Sequence, residues 1–309
     1  MTEHTKKRRT IQSLRTSLAE YLIQLDDGQR LPSTRELAKS MHMSLGSVSI
    51  ALNDIQDLGA VKIQNRGHLG SIVLEISRGK LWNIIQSGPL VVGLTLPMHA
   101  RFEGLATGIK TAFEKIGVET YLIFIRGSST RLKALRENRC HAIVMSGLAA
   151  EEHCTQEEEI IFELDPGTWI SKYCIFYRTL EPGLGRPLRV AVDHLSGDHM
   201  RLSELVFTGK NVEFKSTSYI QIPRLLKNGE VDATVWTFDQ ADSFLTSEVH
   251  SVPISDQVME TIGARSISAA FICRSGNIVV RSLFKNAIHS DEILSIQAKV
   301  SSGELIPEY

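Results

Sequence analysis

From residue 90 onward the sequence alternates apolar runs with amphipathic stretches, and it does so twice. The first series predicts a strand over 90–96 (Leu-Val-Val-Gly-Leu-Thr-Leu), a helix over 101–116, a strand over 119–125, a helix over 129–138 and a strand over 141–145. A strand-like run over 172–178 follows, and then the second series: a strand over 188–192, a helix from Asp198, a strand over 211–216, a helix over 221–227 and a strand over 233–237. Consecutive strand–helix–strand steps imply parallel sheets with right-handed crossovers. The chain therefore builds one α/β lobe, crosses to a second, and returns through residues 268–273 to a closing helical stretch. The acidic run Glu151-Glu-His-Cys-Thr-Gln-Glu-Glu-Glu159 between the two series reads as a solvated loop or helix start.

At 309 residues the length suits two units at about 150 residues each, with enough chain for a core that needs no disulfide or metal staple. Cys140, Cys154, Cys174 and Cys273 include no close pair, which predicts reduced thiols and neither zinc nor a redox dithiol. No apolar run approaches the roughly 20 residues of a membrane span, and the opening charges have no apolar stretch behind them. The expected location is the cytoplasm, and a solute-binding role in transport is not expected. Residues 1–85 carry 12 Lys+Arg against 8 acids, while the rest of the chain carries 22 against 27. Such an asymmetry suits an N-terminal part that meets a polyanion.

Before residue 90 the spacing changes. Ile11, Leu14, Leu18, Tyr21, Leu22 and Leu25 recur at threes and fours and predict an amphipathic helix ending at Asp27-Gly28. In Leu31-Pro-Ser-Thr-Arg-Glu-Leu-Ala38, Ser33 and Glu36 stand at capping-box spacing and start a second, short helix. A third helix opens at Ser44, carries Val48, Ala51, Leu52, Ile55 and Leu58 on one face, and stops at Gly59. Residues 60–64 and 71–76 alternate like strands around a turn at Asn65-Arg66-Gly67. Three helices and a hairpin make a winged helix-turn-helix. The division read from the sequence is a winged helix-turn-helix over 1–77, a linker over 78–89 and a two-lobed α/β domain over 90–309.

The run Leu-Pro-Ser-x-Arg-Glu-Leu-Ala, a Ser-opened helix, Leu-Gly-Ala-Val and a Gly-containing wing resemble the winged helix of GntR-type transcriptional regulators over roughly residues 10–76. That likeness implies a helix over 44–58 that enters the major groove of double-stranded DNA while the wing touches the neighbouring backbone. Where the GntR family usually shows arginines early in that helix, this chain has Leu45 and Ser49. The remaining DNA-binding candidates are Ser44, Ser47, Ser49 and Asn53 on the helix, Arg35 before it, and Arg66 and His68 on the wing, with a flexible Lys6-Lys-Arg-Arg9 arm adding charge. The long C-terminal part is similar to type 2 periplasmic-binding-protein domains, with Leu135-Arg-Glu-Asn-Arg-Cys-His-Ala-Ile-Val and Leu226-Lys-Asn-Gly-Glu-Val-Asp-Ala-Thr-Val as paired echoes. Taken whole, the chain resembles the YhfZ family of bacterial regulators.

Such a fold places its ligand between the lobes, at strand C-terminal ends and helix N-termini, where free backbone N–H groups attract anions. The candidates so selected are Thr95, Pro97 and Arg101 after the first strand, then Arg126 with the 127–130 turn (Ser128, Ser129, Thr130), and Ser146 with Gly147. In the second lobe they are Asp193, Ser196, Gly197, Asp198, Trp236 and Asp239. Arg101 or Arg126 is expected to counter the charge of a small anionic metabolite, and Ser128 is expected as a helix N-cap. Asp193-His194 and Asp198-His199 are read as a turn and a cap, with no metal site and no cofactor. No phosphate loop, nucleophile elbow or His-Glu-x-x-His occurs, and no catalytic residue is assigned. The reading is a ligand-responsive homodimeric transcription regulator and not an enzyme. The alternative is a metabolite-processing enzyme on the same fold with a vestigial winged helix.

Overall fold

The computed structural model describes residues 3–67, 70–86, 88–178 and 185–309. Through the first 85 residues the elements are α1 (Glu3–Leu22), β1 (Arg30–Leu31), α2 (Thr34–Ser40), α3 (Leu45–Asp57), β2 (Val61–Asn65), β3 (Ser71–Ile76) and α4 (Arg78–Ile85). The next series is β4 (Leu90–Leu94), α5 (Ala100–Lys115), β5 (Thr120–Phe124), α6 (Ser128–Arg136), β6 (Ala142–Ser146), α7 (Gly147–His153) and β7 (Glu158–Glu163). The chain continues through β8 (Tyr173–Arg178), β9 (Leu188–Val192), α8 (Gly197–Val206), β10 (Val212–Ser216), α9 (Ile222–Lys227), β11 (Ala233–Thr237), α10 (Ala241–Phe244) and β12 (Val249–Pro253). It closes with α11 (Asp256–Ile262), β13 (Ala269–Arg274), α12 (Ile278–Ala287) and α13 (Ser290–Ser301).

The chain forms two compact units. One gathers Met1–Leu90, Thr111–Tyr121 and Gly276–Ala287, and the other takes Val91–Lys110, Leu122–Ser275 and Ile288–Tyr309. In the first unit the winged helix is built as its local signals require. Ser33 and Glu36 close the capping box, with Glu36 N–H donating to Ser33 Oγ at 3.2 Å and Ser33 N–H to Glu36 Oε2 at 2.7 Å. Ser44 Oγ caps α3 by accepting from Ser47 N–H at 3.1 Å, and Gly59, at φ 64°, takes the left-handed turn that ends it. Strands β2 and β3 pair antiparallel, and the short β1 adds to the outer side of β3, which alternation alone did not disclose. Leu18, Leu22, Val48, Ile55 and Val73 are fully buried.

Two expectations for this unit are corrected. The helix backbone of α1 runs through Lys6–Arg9, so the basic stretch is the first part of a helix and not an arm ahead of it. The stretch 78–89, expected as a linker, carries α4 with Leu81 and Trp82 buried, because Arg78-Gly-Lys80 opens a helix and does not break one. Arg78 donates to Leu25 O at 3.2 Å, and a Cβ at Gly79 would meet Gly117 O at 1.8 Å, so only glycine permits that approach. Helix α12 also belongs here: Ser282 Oγ donates to Ile23 O at 2.7 Å, and Phe284 packs edge-on to Phe113 at 4.8 Å.

The chain's two larger sheets each have five strands, in the orders β5-β4-β6-β13-β7 and β10-β9-β11-β8-β12. In the first lobe β4 and β6 are parallel, and β13, returning from the far end of the sequence, lies antiparallel between β6 and β7. In the second lobe β9 is parallel to both β10 and β11, β8 runs antiparallel beside β11, and the edge strand β12 runs antiparallel to β8. All five residues of β6 are buried, as a strand covered on both faces demands. Ile143, Met145, Leu135 and Ile272 form one core, and Phe176, Ile222, Leu226 and Phe244 another, with Phe176 stacked on Phe244 at 4.4 Å.

Only the middle of the acidic run is the expected solvated loop, an exposed turn over 155–157. Glu151 and Glu152 end α7, and Glu158 starts the edge strand β7 with its side chain buried. Arg136 makes this acceptable, since its Nε and Nη2 grip Glu158 at 2.7 and 3.0 Å and hold that carboxyl down at about 2. The four cysteines are free thiols. Among the described residues no helix is long and apolar enough to cross a membrane, and no cluster of potential metal ligands occurs.

Candidate functional site

Helix α3 buries Val48, Ala51, Leu52 and Ile55, and this face fixes which residues turn outward. The exposed side carries Leu45, Gly46, Ile50, Asn53 and Asp57, while Ser47 and Ser49 are half-buried beside it. Leu45 and Ile50 are each 52% exposed, and the sequence reading did not select Ile50. Ser44 is exposed, but its hydroxyl is engaged with Ser47 as the helix cap, at 2.8 Å between the oxygens. Arg35 is exposed on α2, and Arg66 is exposed on the wing, where its Nε donates to Gln64 Oε1 at 3.3 Å. His68 lies outside the described residues.

Within the second unit a cavity of about 710 Å³, part of it open to solvent, lies where strand ends and helix starts of the two lobes converge. Of the residues selected from the sequence, Thr95, Ser128, Ser146, Ser196, Asp198 and Trp236 line it. The remainder of the wall is largely apolar or aromatic: Met98, Phe102, Trp169, Tyr173, Leu202 and Tyr219 are prominent. Trp236 stacks on Tyr219 at 5.3 Å and meets His199 edge-on at 4.9 Å, and its indole N–H donates to Gln240.

The other selected positions serve the walls. Arg101 donates Nε to Asp239 Oδ1 at 3.2 Å and Nη1 to Gly167 O at 2.6 Å, and Asp239 also accepts from Ser171 N–H at 2.7 Å. Arg126 pairs with Asp193 at 3.1 Å, and Asp193 organises its own turn by accepting from the N–H groups of Leu195 and Tyr219, each at 3.0 Å. Both arginines expected to meet the ligand thus carry acids of their own. Ser129 and Thr130 are exposed, and Gly147 and Gly197 are the first residues of α7 and α8. The N-cap of α6 is Gly127, at φ 82°, and not Ser128. A Cβ at Gly127 would stand 2.7 Å from Leu195 Cβ, so the glycine lets the two lobes approach.

The group that sequence reasoning missed is Arg131, one turn into α6. It is 3% exposed, lines the cavity, and donates Nη1 to Ile125 O at 2.9 Å, while its buried Nε has no partner. Burial holds its guanidinium down at about 10, with the fields of Tyr219 and Asp198 opposing that fall. Across the cavity Asp198, also buried, accepts from Ser146 Oγ through Oδ2, and its Oδ1 has no partner. Burial raises its pKa, against the lowering effect of the Ser146 bond. Asp198 is therefore not the cap of α8, which is Ser196. His199 is fixed as a neutral ring: Nδ1 accepts from Asp193 N–H at 3.0 Å, Nε2 faces Thr234 Oγ1 at 3.3 Å, and burial depresses its pKa to about 4.

The YhfZ C-terminal domain model matches residues 78–309, and a helix-turn-helix domain model matches residues 26–73. The chain belongs to the YhfZ family. It is 28% identical to the uncharacterized protein YhfZ of Escherichia coli strain K12, across 95% of this chain and 96% of that protein. The crystal structure of YhfZ from Shigella flexneri superposes with a TM-score of 0.60 at 25% identity, covering 75% of this chain and 98% of that one. The ligand-binding component of an ABC-type import system from Staphylococcus aureus matches at a TM-score of 0.48 and 9% identity, over 68% of this chain and 83% of its own. This YhfZ family member thus joins a helix-turn-helix domain to a two-lobed α/β domain.

Proposed function

We propose that the protein is a ligand-responsive, cytoplasmic, homodimeric transcription regulator whose GntR-like winged helix reads DNA and whose cavity senses a small anionic metabolite. One observation carries the sensing half: Arg131 is buried in the cavity wall with an N–H that no protein group accepts. An unpaired buried donor on a cation costs several kcal/mol, and an anionic ligand atom at that position offsets the cost. The reading half is supported by the outward face of α3, where Asn53 suits an adenine edge and Leu45 and Ile50 suit thymine methyl groups. Arg35 and Arg66, both exposed, are placed to contact phosphates. A dimer would set two such helices on half-sites about 34 Å apart or a multiple of that. Ligand control requires a preference of ~1–3 kcal/mol for one state of the two lobes.

The enzyme alternative is not favoured in a chain that belongs to this family and carries a helix-turn-helix domain. The test is anisotropy of labelled DNA from upstream of the protein's own gene, titrated with intact protein at two salt concentrations beside random DNA. Sequence-selective binding that weakens with salt is the expected result, with small carboxylates or phosphates releasing the DNA from wild type and not from Arg131→Met. Equal affinity for every DNA, including the products of a random-library selection, would refute the regulator reading.

A further inference from the structure

Arg131 is one of two buried charges at the cavity, and the second is of opposite sign. Asp198 is 9% exposed and Arg131 3%, both line the same cavity, and each keeps one polar atom without a partner, Oδ1 and Nε. They lie in each other's electrostatic field, yet no ion pair joins them. Neither has another counter-charge in contact: Ser146 gives Asp198 a neutral hydroxyl, and Ile125 gives Arg131 a carbonyl. Leaving either atom unpaired in an apolar wall is costly, and a ligand with only one charge leaves one of them so. The neutral His199 has both ring nitrogens engaged and does not substitute for either.

The surface around these two charges is aromatic. Phe102 packs on Trp169 at 4.7 Å, the Arg131 guanidinium carbon stands 5.8 Å from the Trp169 ring centre, and Tyr219 and Trp236 are stacked in the same wall. Such a wall rewards an apolar body and offers little to a highly hydroxylated one.

We propose that the ligand is a zwitterion with an apolar or aromatic body, its anionic end on Arg131 and its cationic end on Asp198; a free α-amino acid with an apolar side chain is the simplest member of this class. The inference rests on the reading that the cavity is a ligand site, and it adds the cation, the body and Asp198.

The test uses the intact protein and its tryptophan fluorescence, since Trp169 and Trp236 line the cavity. The probes are L-phenylalanine, L-leucine, 3-phenylpropanoate, which lacks the ammonium, and L-phenylalaninamide, which lacks the carboxylate. At least one amino acid binds, and L-phenylalanine binds about tenfold or more tighter than either of its one-charge analogues, as befits one charged hydrogen-bonded contact. In Asp198→Asn the preference for phenylalanine over phenylpropanoate falls to about one while phenylpropanoate still binds, which separates recognition from misfolding. In Arg131→Met the preference over the amide is lost in the same way. Phenylpropanoate binding as tightly as phenylalanine overturns the zwitterion and leaves an anion sensor. Silence from all four probes while di- and tricarboxylates release DNA overturns the zwitterion alone. Silence from every compound in both sets overturns the sensor as well.

Discussion

Replacing His99 with phenylalanine should make the protein more resistant to acid. His99 is 9% exposed, stacks on Phe102 at 4.0 Å, and neither ring nitrogen has a hydrogen-bond partner. Burial lowers its pKa from 6.5 to about 4, with Asp239 opposing and Arg101 adding to the fall. The folded protein therefore holds this ring neutral, while the unfolded chain takes up a proton as soon as the pH drops below 6.5. Stability is lost as pH falls from 6.5 towards 4, and below that both states are protonated and the loss is complete. Between pH 7 and pH 5 the linkage amounts to about 2 kcal/mol. Phenylalanine keeps a ring against Phe102 and removes the titration, and no hydrogen bond is lost. Any packing cost of the larger ring is the same at both pH values and drops out of the comparison. The assay is urea unfolding of wild type and His99→Phe at pH 7, 6 and 5. The variant's stability relative to wild type should rise by about 2 kcal/mol across that range. All other titrating groups, His199 and Asp198 included, are common to both proteins and cancel. A stability difference that stays constant with pH would show that His99 is hydrated or paired in the folded state, and the reasoning would fail.

Three further outcomes follow from named contacts. Gly127→Ala puts a methyl group against Leu195 at a positive φ, so it should destabilise by about 1–2 kcal/mol and weaken any cavity ligand, with a larger radius of gyration in solution scattering. Asp232, buried and gripped by Arg186 at 2.6 Å and Arg189 at 2.8 Å, keeps its pKa below the ordinary value although burial pulls it upward. Asp232→Ala should cost about 2 kcal/mol in urea unfolding at pH 7, and less at pH 3, below the ordinary carboxyl value of 3.8, where the unfolded wild-type chain takes up a proton that the folded one does not. Leu45→Arg places a cation on the exposed face of α3 and should tighten DNA binding, steepening the salt dependence by about 0.9 in log–log slope if it meets one phosphate. An unchanged slope would put Leu45 off the DNA backbone.

What could be read before the structure was decided locally. The Ser33–Glu36 box spans three residues, the stop at Gly59 needs one, and β6 is a run of five apolar or small residues covered on both sides. What could not be read depends on partners far along the chain. Arg101 was expected at the ligand, but its carboxylate partner Asp239 lies 138 residues away, and that of Arg126 lies 67 away. Arg131 has no acid in contact, and nothing in its sequence neighbourhood says so; its place one turn after the helix start was the available signal. Strand β7 was hidden because Glu158 resembles solvated surface until Arg136, from another element, closes on it. Of the aromatic wall only Trp236 was legible, since Phe102, Trp169 and Tyr219 come from three other stretches with no local signal.

The segments Thr111–Tyr121 and Gly276–Ala287 complete the unit that holds the winged helix. This makes the DNA-binding part a poor module for exchange by recombination. A crossover near residue 90 would deliver the winged helix to a new partner without the stretch that bonds Ser282 to Ile23 and sets Phe284 against Phe113. It would also leave the donor with an α12 whose Val279, Val280, Leu283 and Phe284 have lost part of their cover. The winged helix and the two-lobed domain are therefore expected to be inherited together, with both as the unit that selection can move.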